Sequence, residues 1–180
     1  MSASDTTGGT SKPGAVIALC VAALLFAALV AVKIGLFADF RADSSDGCFA
    51  EQNPQYVTAC EQFAPASWFA PYLLSIIVYA VFAALFAAAA VLTARARPAA
   101  RTFSLVTAVA AVIFAVIPGV LDLGWRFAVA TSTEGDKWVA EYVRDHAPAW
   151  YGPAEATALI AAAVCAVVAV VLLRRRASAQ

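Results

Sequence analysis

The sequence contains little charge and almost no histidine. Asp, Glu, Lys and Arg make up 13% of the 180 residues, the formal net charge is zero, and His146 is the single histidine. A chain with no net charge has no general attraction to nucleic acid. One histidine cannot hold a haem between helices, and a zinc site would need Glu141 or Asp145 as additional ligands. We therefore expect no cofactor, no metal and no nucleic-acid partner.

Sequence motifs that carry catalysis are also missing. The chain has no glycine-rich phosphate loop, no zinc-ligand spacing and no nucleophile elbow. Without such a motif, we expect a protein that is not an enzyme.

The chain is instead rich in long apolar runs. Hydrophobic residues make up 63% of it, whereas soluble domains are nearer half apolar. Four runs reach the roughly 20 residues that a helix needs to cross a bilayer, namely 14–37, 68–93, 103–129 and 153–173. They do not alternate apolar and polar residues, as spanning strands do. This pattern predicts an all-α membrane protein with a four-transmembrane-helix bundle.

The apolar runs also divide the rest of the chain. The membrane domain extends over 14–176, between a disordered terminus at 1–13 and a short tail at 177–180. The segments 38–67 and 130–152 are its long loops, and a short loop at 94–102 makes the second and third helices antiparallel neighbours.

The loops carry different charges, and this difference predicts their orientation. Arginines dominate the short 94–102 loop and begin the C-terminal tail, whereas acidic residues dominate 38–67. Because Lys and Arg accumulate on the cytoplasmic side, both termini are expected inside and both long loops outside. All four tryptophans fall at the predicted outer side: Trp68, Trp125, Trp138 and Trp150. Tyr72, Tyr142 and Tyr151 join them in a predicted aromatic belt at the outer interface. Alanine dominates the chain and Arg outnumbers Lys, which suits a GC-rich genome and so a bacterial plasma membrane.

Two cysteines lie in the first outer loop. Cys48 and Cys60 face disulfide-permitting surroundings outside a bacterial membrane, and a bond between them would close a short loop. A structural staple is favoured over a redox-active pair, because catalytic pairs usually have C-x-x-C spacing. Cys20 and Cys165 lie within apolar runs and are interpreted as small buried residues.

The second outer loop contains an amphipathic stretch. Trp138, Val139, Tyr142 and Val143 share one face of a predicted short helix, and charged residues occupy the rest. This helix lies either in the membrane interface or against the other loop. Both alternatives leave a helix in this loop.

Small residues recur at every fourth position in each run, a spacing that lets helices approach closely in lipid. The ladders lie in four sets: Ala23, Ala27, Ala31 and Gly35; Ala80, Ala84 and Ala88; Thr107, Ala111, Ala115 and Gly119; Ala154, Ala158, Ala162 and Ala166.

Ionisable groups fall within or near the apolar runs at a shared depth. At 1.5 Å per residue, Lys33 and Asp122 both lie about 28 Å above the predicted cytoplasmic ends of their helices. Arg126 lies one turn above Asp122, Glu155 enters the fourth run at a similar level, and Tyr72 can reach the same layer. The layer either ties the outer helix ends together or lines an outward-facing pocket. We predict that Asp122 pairs with Lys33, with Arg126 or with both.

Three functional hypotheses follow. The first is a non-enzymatic accessory or scaffold subunit that acts through its outer face on a membrane-protein partner. The second is a small transporter or channel component, working as a homo-oligomer, that uses the charged layer. The third and weakest is a thiol oxidoreductase that uses Cys48 and Cys60.

Overall fold

The computed structural model describes residues 13–45, 70–121 and 147–174, and these residues form helices and their connecting turns. The four helices are α1 (Pro13–Ser45), α2 (Ala70–Ala94), α3 (Ala100–Val120) and α4 (Tyr151–Arg174).

Each helix is long and apolar enough to cross a bilayer. The apolar spans contain 27, 22, 21 and 24 residues in chain order, against a requirement of about 20. Only about a third of each span is buried inside the bundle. The outward faces carry large apolar side chains such as Leu24, Phe114 and Val167, which are more than half exposed. An apolar outer surface of this extent indicates a membrane-embedded protein.

Three helices differ from the predicted runs at their ends. Helix α3 begins at Ala100 instead of residue 103, so the end of the predicted 94–102 loop is helical. Helix α1 continues past the predicted end at 37 to Ser45, so the start of the predicted 38–67 loop is helical. No glycine or proline interrupts this stretch, and the first is Gly47. Helix α4 begins at Tyr151 instead of residue 153, because a proline is tolerated in the first turn of a helix.

The helices form a square bundle in chain order. Helix α1 packs against α2 and α4, and α3 packs against the same two helices from the other side. Neighbouring helices are antiparallel, so α1 and α4 stay in register along their length. Near one end, the position that a Cβ on Gly14 would occupy lies 3.4 Å from Leu172. Near the start of α4, Lys33 contacts Glu155.

The core is aromatic where α1 meets α2. Phe26 is fully buried, and its ring stacks on Phe86 at 5.8 Å. Phe82 and Tyr79 contact the same ring, with centroids 5.7 and 5.8 Å away. These four rings fill the centre of the α1–α2 interface.

The small-residue ladders divide into two groups. Most ladder positions of α3 and α4 face the core, with Ala111, Ala115, Ala162 and Ala166 buried. Ladder positions in α1 and α2 mostly face outward instead, including Ala27, Gly35, Ala80, Ala84 and Ala88. In these two helices the ladder prediction was wrong, because their inward faces carry the aromatic rings, which bury far more apolar surface.

Helix α3 widens before it ends. Val112–Val116 forms a π-helical segment, and α-helical geometry returns at Ile117–Val120. Pro118 lies just beyond the π segment. A proline within a helix has no N–H to donate and clashes with the carbonyl four residues earlier, so a local widening accommodates its ring. The distortion therefore lies immediately before the Pro118–Gly119 pair.

Several predictions fall outside the described residues. They include the Cys48–Cys60 disulfide, the helix of the second outer loop, and the positions of Asp122, Arg126 and His146. They stay predictions. Of the two cysteines in helices, Cys20 is exposed and Cys165 half-buried, so the expectation that Cys20 is buried was wrong. Its position on α1 faces away from the α2 and α4 contacts.

Candidate functional site

Lys33 is a charged residue within the apolar span of α1, which ends at Asp39. It lies 20 residues after the start of α1, about 30 Å along the axis at 1.5 Å per residue. Its side chain is only 4% exposed. An ammonium group buried this deeply needs a charged partner and hydrogen bonds, because desolvation strongly disfavours an isolated charge.

Glu155 is the charged partner of Lys33. It lies in the second turn of α4, and the antiparallel packing of α1 and α4 brings the two side chains to the same level. Lys33 Nζ lies 3.0 Å from Glu155 Oε1, and the glutamate side chain is 13% exposed. The contact is therefore a largely buried ion pair between two helices that are far apart in the sequence.

Tyr79 of α2 supplies a second bond to the same carboxylate. Its hydroxyl donates to Glu155 Oε1 at 2.7 Å, and its side chain is buried. Hydrogen bonds to a charged acceptor are about twice as strong as neutral ones. Glu155 thus links α4 to both α1 and α2 through one oxygen atom.

Two aromatic rings also surround the Lys33 ammonium. Nζ lies 5.5 Å from the centroid of Tyr79 and 5.3 Å from that of Tyr151. Both distances are within the range of cation–π attraction, which grows when the cation is desolvated. The charge on Lys33 is therefore stabilised by one carboxylate and two ring faces.

Gly119 brings α3, the remaining helix, to this position. A Cβ on Gly119 would lie 2.8 Å from Tyr79 Oη and would overlap Leu159. The missing side chain lets α3 approach the tyrosine hydroxyl closely. Lys33, Tyr79, Gly119, Tyr151 and Glu155 together form what we call the four-helix cluster, since each helix contributes at least one member.

The structure brings together two residues of the predicted charged layer, Lys33 and Glu155. Asp122 and Arg126 lie outside the described residues, so their pairing stays a prediction. Tyr72 lies in the first turn of α2, and its side chain is not among those that the structure describes.

Sequence reasoning missed Tyr79 and the contact of Tyr151 with Lys33. Tyr79 lies two turns after Tyr72, and in the run LLSIIVYAVF its hydroxyl and that of Ser75 are the polar groups among apolar residues. Tyr151 was assigned to the outer aromatic belt with Trp150. The two rings do pack edge to face at 6.2 Å, but Tyr151 also turns its face to Lys33.

The polar groups of the cluster bind one another and link the helices together. Its carboxylate accepts bonds from an ammonium and a phenol, and its ammonium is enclosed by protein groups. Among residues 13–45, 70–121 and 147–174, no group of three or more His, Cys, Asp or Glu side chains could hold a metal. Comparisons with known protein families, curated proteins and solved structures find no match.

Proposed function

We propose that this protein is a non-enzymatic multi-pass membrane protein that acts as an accessory or scaffold subunit through its outer face. The observation that carries the proposal is the four-helix cluster. It joins all four helices in the half of the bundle that contains the end of α3 and the start of α4, with Lys33 twelve residues before the end of α1 and Tyr79 nine residues after the start of α2. The chain leaves this half of the bundle at the end of α1 and of α3 and returns to it at the start of α2 and of α4. The cluster therefore fixes the four helices relative to one another on the side of the bundle where both long loops are attached.

The charge distribution supports the orientation that this function requires. Four exposed arginines lie at the end of the bundle opposite the cluster: Arg95, Arg97, Arg101 and Arg174. We call this the arginine end. Arginine accumulates on the cytoplasmic side of membrane proteins, so the cluster end is proposed to face outward. Both termini then lie in the cytoplasm, and the location is the plasma membrane.

Site-specific crosslinking in native membranes tests the proposal. A photoreactive residue at Trp138, in the second long loop, should yield a discrete crosslink to another membrane protein. The same probe at Val164 should yield none, because Val164 is exposed on the apolar surface of α4. The crosslink should disappear when Tyr142 and Val143 are both changed to alanine, which removes the neighbouring apolar loop face. Equal crosslinking from Trp138 and Val164 would contradict a specific outer-face contact.

The buried charges favour one second candidate, a small transporter or channel component. Ionisable residues within membrane helices often mark substrate or ion pathways. The variant Lys33→Met/Glu155→Leu removes both charges while leaving neither stranded. If the protein is a scaffold, expression of this variant should rescue the defect of a strain from which the gene is deleted. Failure to restore it, with normal membrane levels and normal Trp138 crosslinking, would support the transport candidate instead.

A further inference from the structure

The surface between α3 and α4 contains an apolar groove of about 350 Å³ at the arginine end. Its floor includes Ala108 and Ala166, which are buried, and its walls include Val109 and Val167, which are about half exposed. Small residues let the two helices approach closely, and the branched side chains beside them stand above the contact. The groove follows from this alternation of small and large residues.

The groove has the length of one membrane leaflet. On α3 it is lined from Leu105 to Ile113, about 12 Å at 1.5 Å per residue. On α4 it is lined from Ala163 to Arg174, about 16 Å by the same rise. The hydrocarbon core of a bilayer is about 30 Å thick, so the groove covers about half of it. An acyl chain of a single leaflet matches this length.

Among the described residues that line the groove, one is charged, and it lies at one end. Arg174 is the last residue of α4 and is exposed. It forms no ion pair within 13–45, 70–121 and 147–174. Its guanidinium presents paired N–H donors that match the oxygen atoms of a phosphate group. Arg175 and Arg176 follow it directly in the sequence.

A helix from a second copy would place only a ridge of its side chains in the groove, because a helix with its side chains is about 10–12 Å across. A single hydrocarbon chain is much thinner and lies within the groove along its length. The charge at the end of the groove favours a lipid with an anionic headgroup.

We propose that the α3–α4 groove binds an anionic diacyl phospholipid. One acyl chain lies along Val109 and Val167, and the phosphodiester pairs with Arg174. The site is separate from the four-helix cluster, which lies at the opposite end of the bundle, and it does not depend on the outer-face function. Basic positions at the cytoplasmic ends of membrane helices suit anionic headgroups of that leaflet.

Lipid binding to the purified protein tests the proposal. The protein is delipidated in a neutral detergent, and retained lipid is counted by native mass spectrometry. Phosphatidylglycerol and phosphatidylcholine with identical chains are added in turn, and glycerophosphate is added as the headgroup alone. We expect one retained phosphatidylglycerol and a rise of several degrees in Tm. Phosphatidylcholine should be retained less, and glycerophosphate should have no effect.

Two variants with matched controls locate the site. Arg174→Gln should weaken phosphatidylglycerol binding by about tenfold, the loss expected for a bond to a charged group. Ala163→Phe should fill the groove and weaken the binding of both lipids. The controls are Arg101→Gln, at the same end, and Val164→Phe, on the same helix; neither residue lines the groove. Both controls should bind lipid as the unmodified protein does.

Distinct results would overturn the proposal. Equal retention of the two lipids would remove the role of charge, and equal losses in Arg174→Gln and Arg101→Gln would indicate only general surface attraction. Stabilisation by glycerophosphate alone would indicate a headgroup site without the groove. Unchanged binding in Ala163→Phe, with the Tm of the lipid-free variant unaltered, would also reject the groove as the site.

Discussion

Lys33 and Glu155 show how a charged pair can be kept near hydrocarbon. Moving two charges out of water costs several kcal/mol per ion, and their attraction offsets this cost only with good geometry and further hydrogen bonds. The cluster supplies both, with a 3.0 Å contact, the Tyr79 hydroxyl and two ring faces. A pair of this kind contributes modest net stability, but losing one partner leaves the other buried and uncompensated.

Single substitutions in the ion pair should therefore be more damaging than the double one. We expect Lys33→Met and Glu155→Leu each to lower the free energy of unfolding by about 3 kcal/mol, because each strands one buried charge. The double variant should lose clearly less than the sum. Reversible unfolding in detergent micelles measures all three, and Arg101→Gln, on the exposed surface, serves as the control.

The variant Tyr79→Phe separates the contribution of the hydrogen bond from that of the ring packing. The ring and its contacts with Phe26 and Lys33 remain, and only the bond to Glu155 is lost, at a cost of about 1.5–3 kcal/mol. In the Glu155→Leu background the same change should cost almost nothing. Strictly additive losses among these variants would show that the residues do not act together.

At the scale of the helix, α3 depends on a glycine where it meets the cluster. Gly119 faces Tyr79 Oη and the fully buried Leu159. Tyr79 is held by its bond to Glu155, so it cannot move away without weakening that bond. Gly119→Ala should therefore destabilise the bundle by about 1–3 kcal/mol, the usual cost of overpacking.

Gly35→Ala is the matched control for this substitution. Gly35 also lies within a membrane helix, but a Cβ there meets no atom within 4 Å. Replacing an unpacked helical glycine with alanine is neutral or stabilising by up to about 1 kcal/mol. Thermal unfolding of the two variants side by side checks the prediction, and similar shifts in both would contradict the close approach of α3.

In the turn between α2 and α3, an alanine occupies a position whose backbone conformation favours glycine. Ala96 has φ of 50°, in the left-handed region. Arg97 N–H donates to Leu92 O and Ala96 N–H donates to Thr93 O, the bonding pattern of a helix that ends on a left-handed residue. Alanine is strained there by about 1–2 kcal/mol, and glycine is not.

Ala96→Gly should therefore raise the stability by about 0.5–1 kcal/mol, after the added freedom of the unfolded chain is subtracted. Ala94→Gly, two residues earlier within α2, should instead lower it by about 1 kcal/mol. The difference in Tm between the two variants is the measurement. A loss in both would mean that Ala96 does not adopt the left-handed conformation in the membrane protein.

At the scale of the whole molecule, the antiparallel bundle separates two chemically different ends. The arginines lie at one end and the cluster at the other, so the orientation in the membrane is directly testable. A reporter that is active only in the cytoplasm should give signal when fused after Arg97 or after Gln180. It should give none after Glu61. The reverse pattern would place the arginine end outside and contradict the outer-face proposal.

The proposed outward orientation of the long loops also predicts which cysteines form a disulfide. Mass mapping without reduction should find Cys48 joined to Cys60, with Cys20 and Cys165 as free thiols. A staple closing so short a loop is worth about 3 kcal/mol in the chain-entropy model, so Cys48→Ser should lower Tm. It should leave a thiol-exchange assay at background. A measurable exchange activity that this variant abolishes would support the oxidoreductase hypothesis instead.

The number and approximate length of the membrane helices followed from composition alone. Long apolar runs must satisfy their backbone groups internally, which makes each run a helix wherever it lies in the bundle. The shared depth of Lys33 and Glu155 was also readable, because helical rise converts residue number directly into height.

The tertiary structure alone decided which residue meets which. Equal height allows Lys33 several neighbours, and the packing of α1 on α4 selects Glu155. The inward face of each helix was similarly undetermined, because alanine is so common that small-residue ladders occur on several faces. In α1 and α2, the inward face is the one that carries the aromatic rings of Phe26, Tyr79, Phe82 and Phe86. In α3 and α4, the inward face is the one that carries small residues. Rotation about a helix axis depends on the partner surface, and a lipid-facing sequence that is apolar on every side does not specify it.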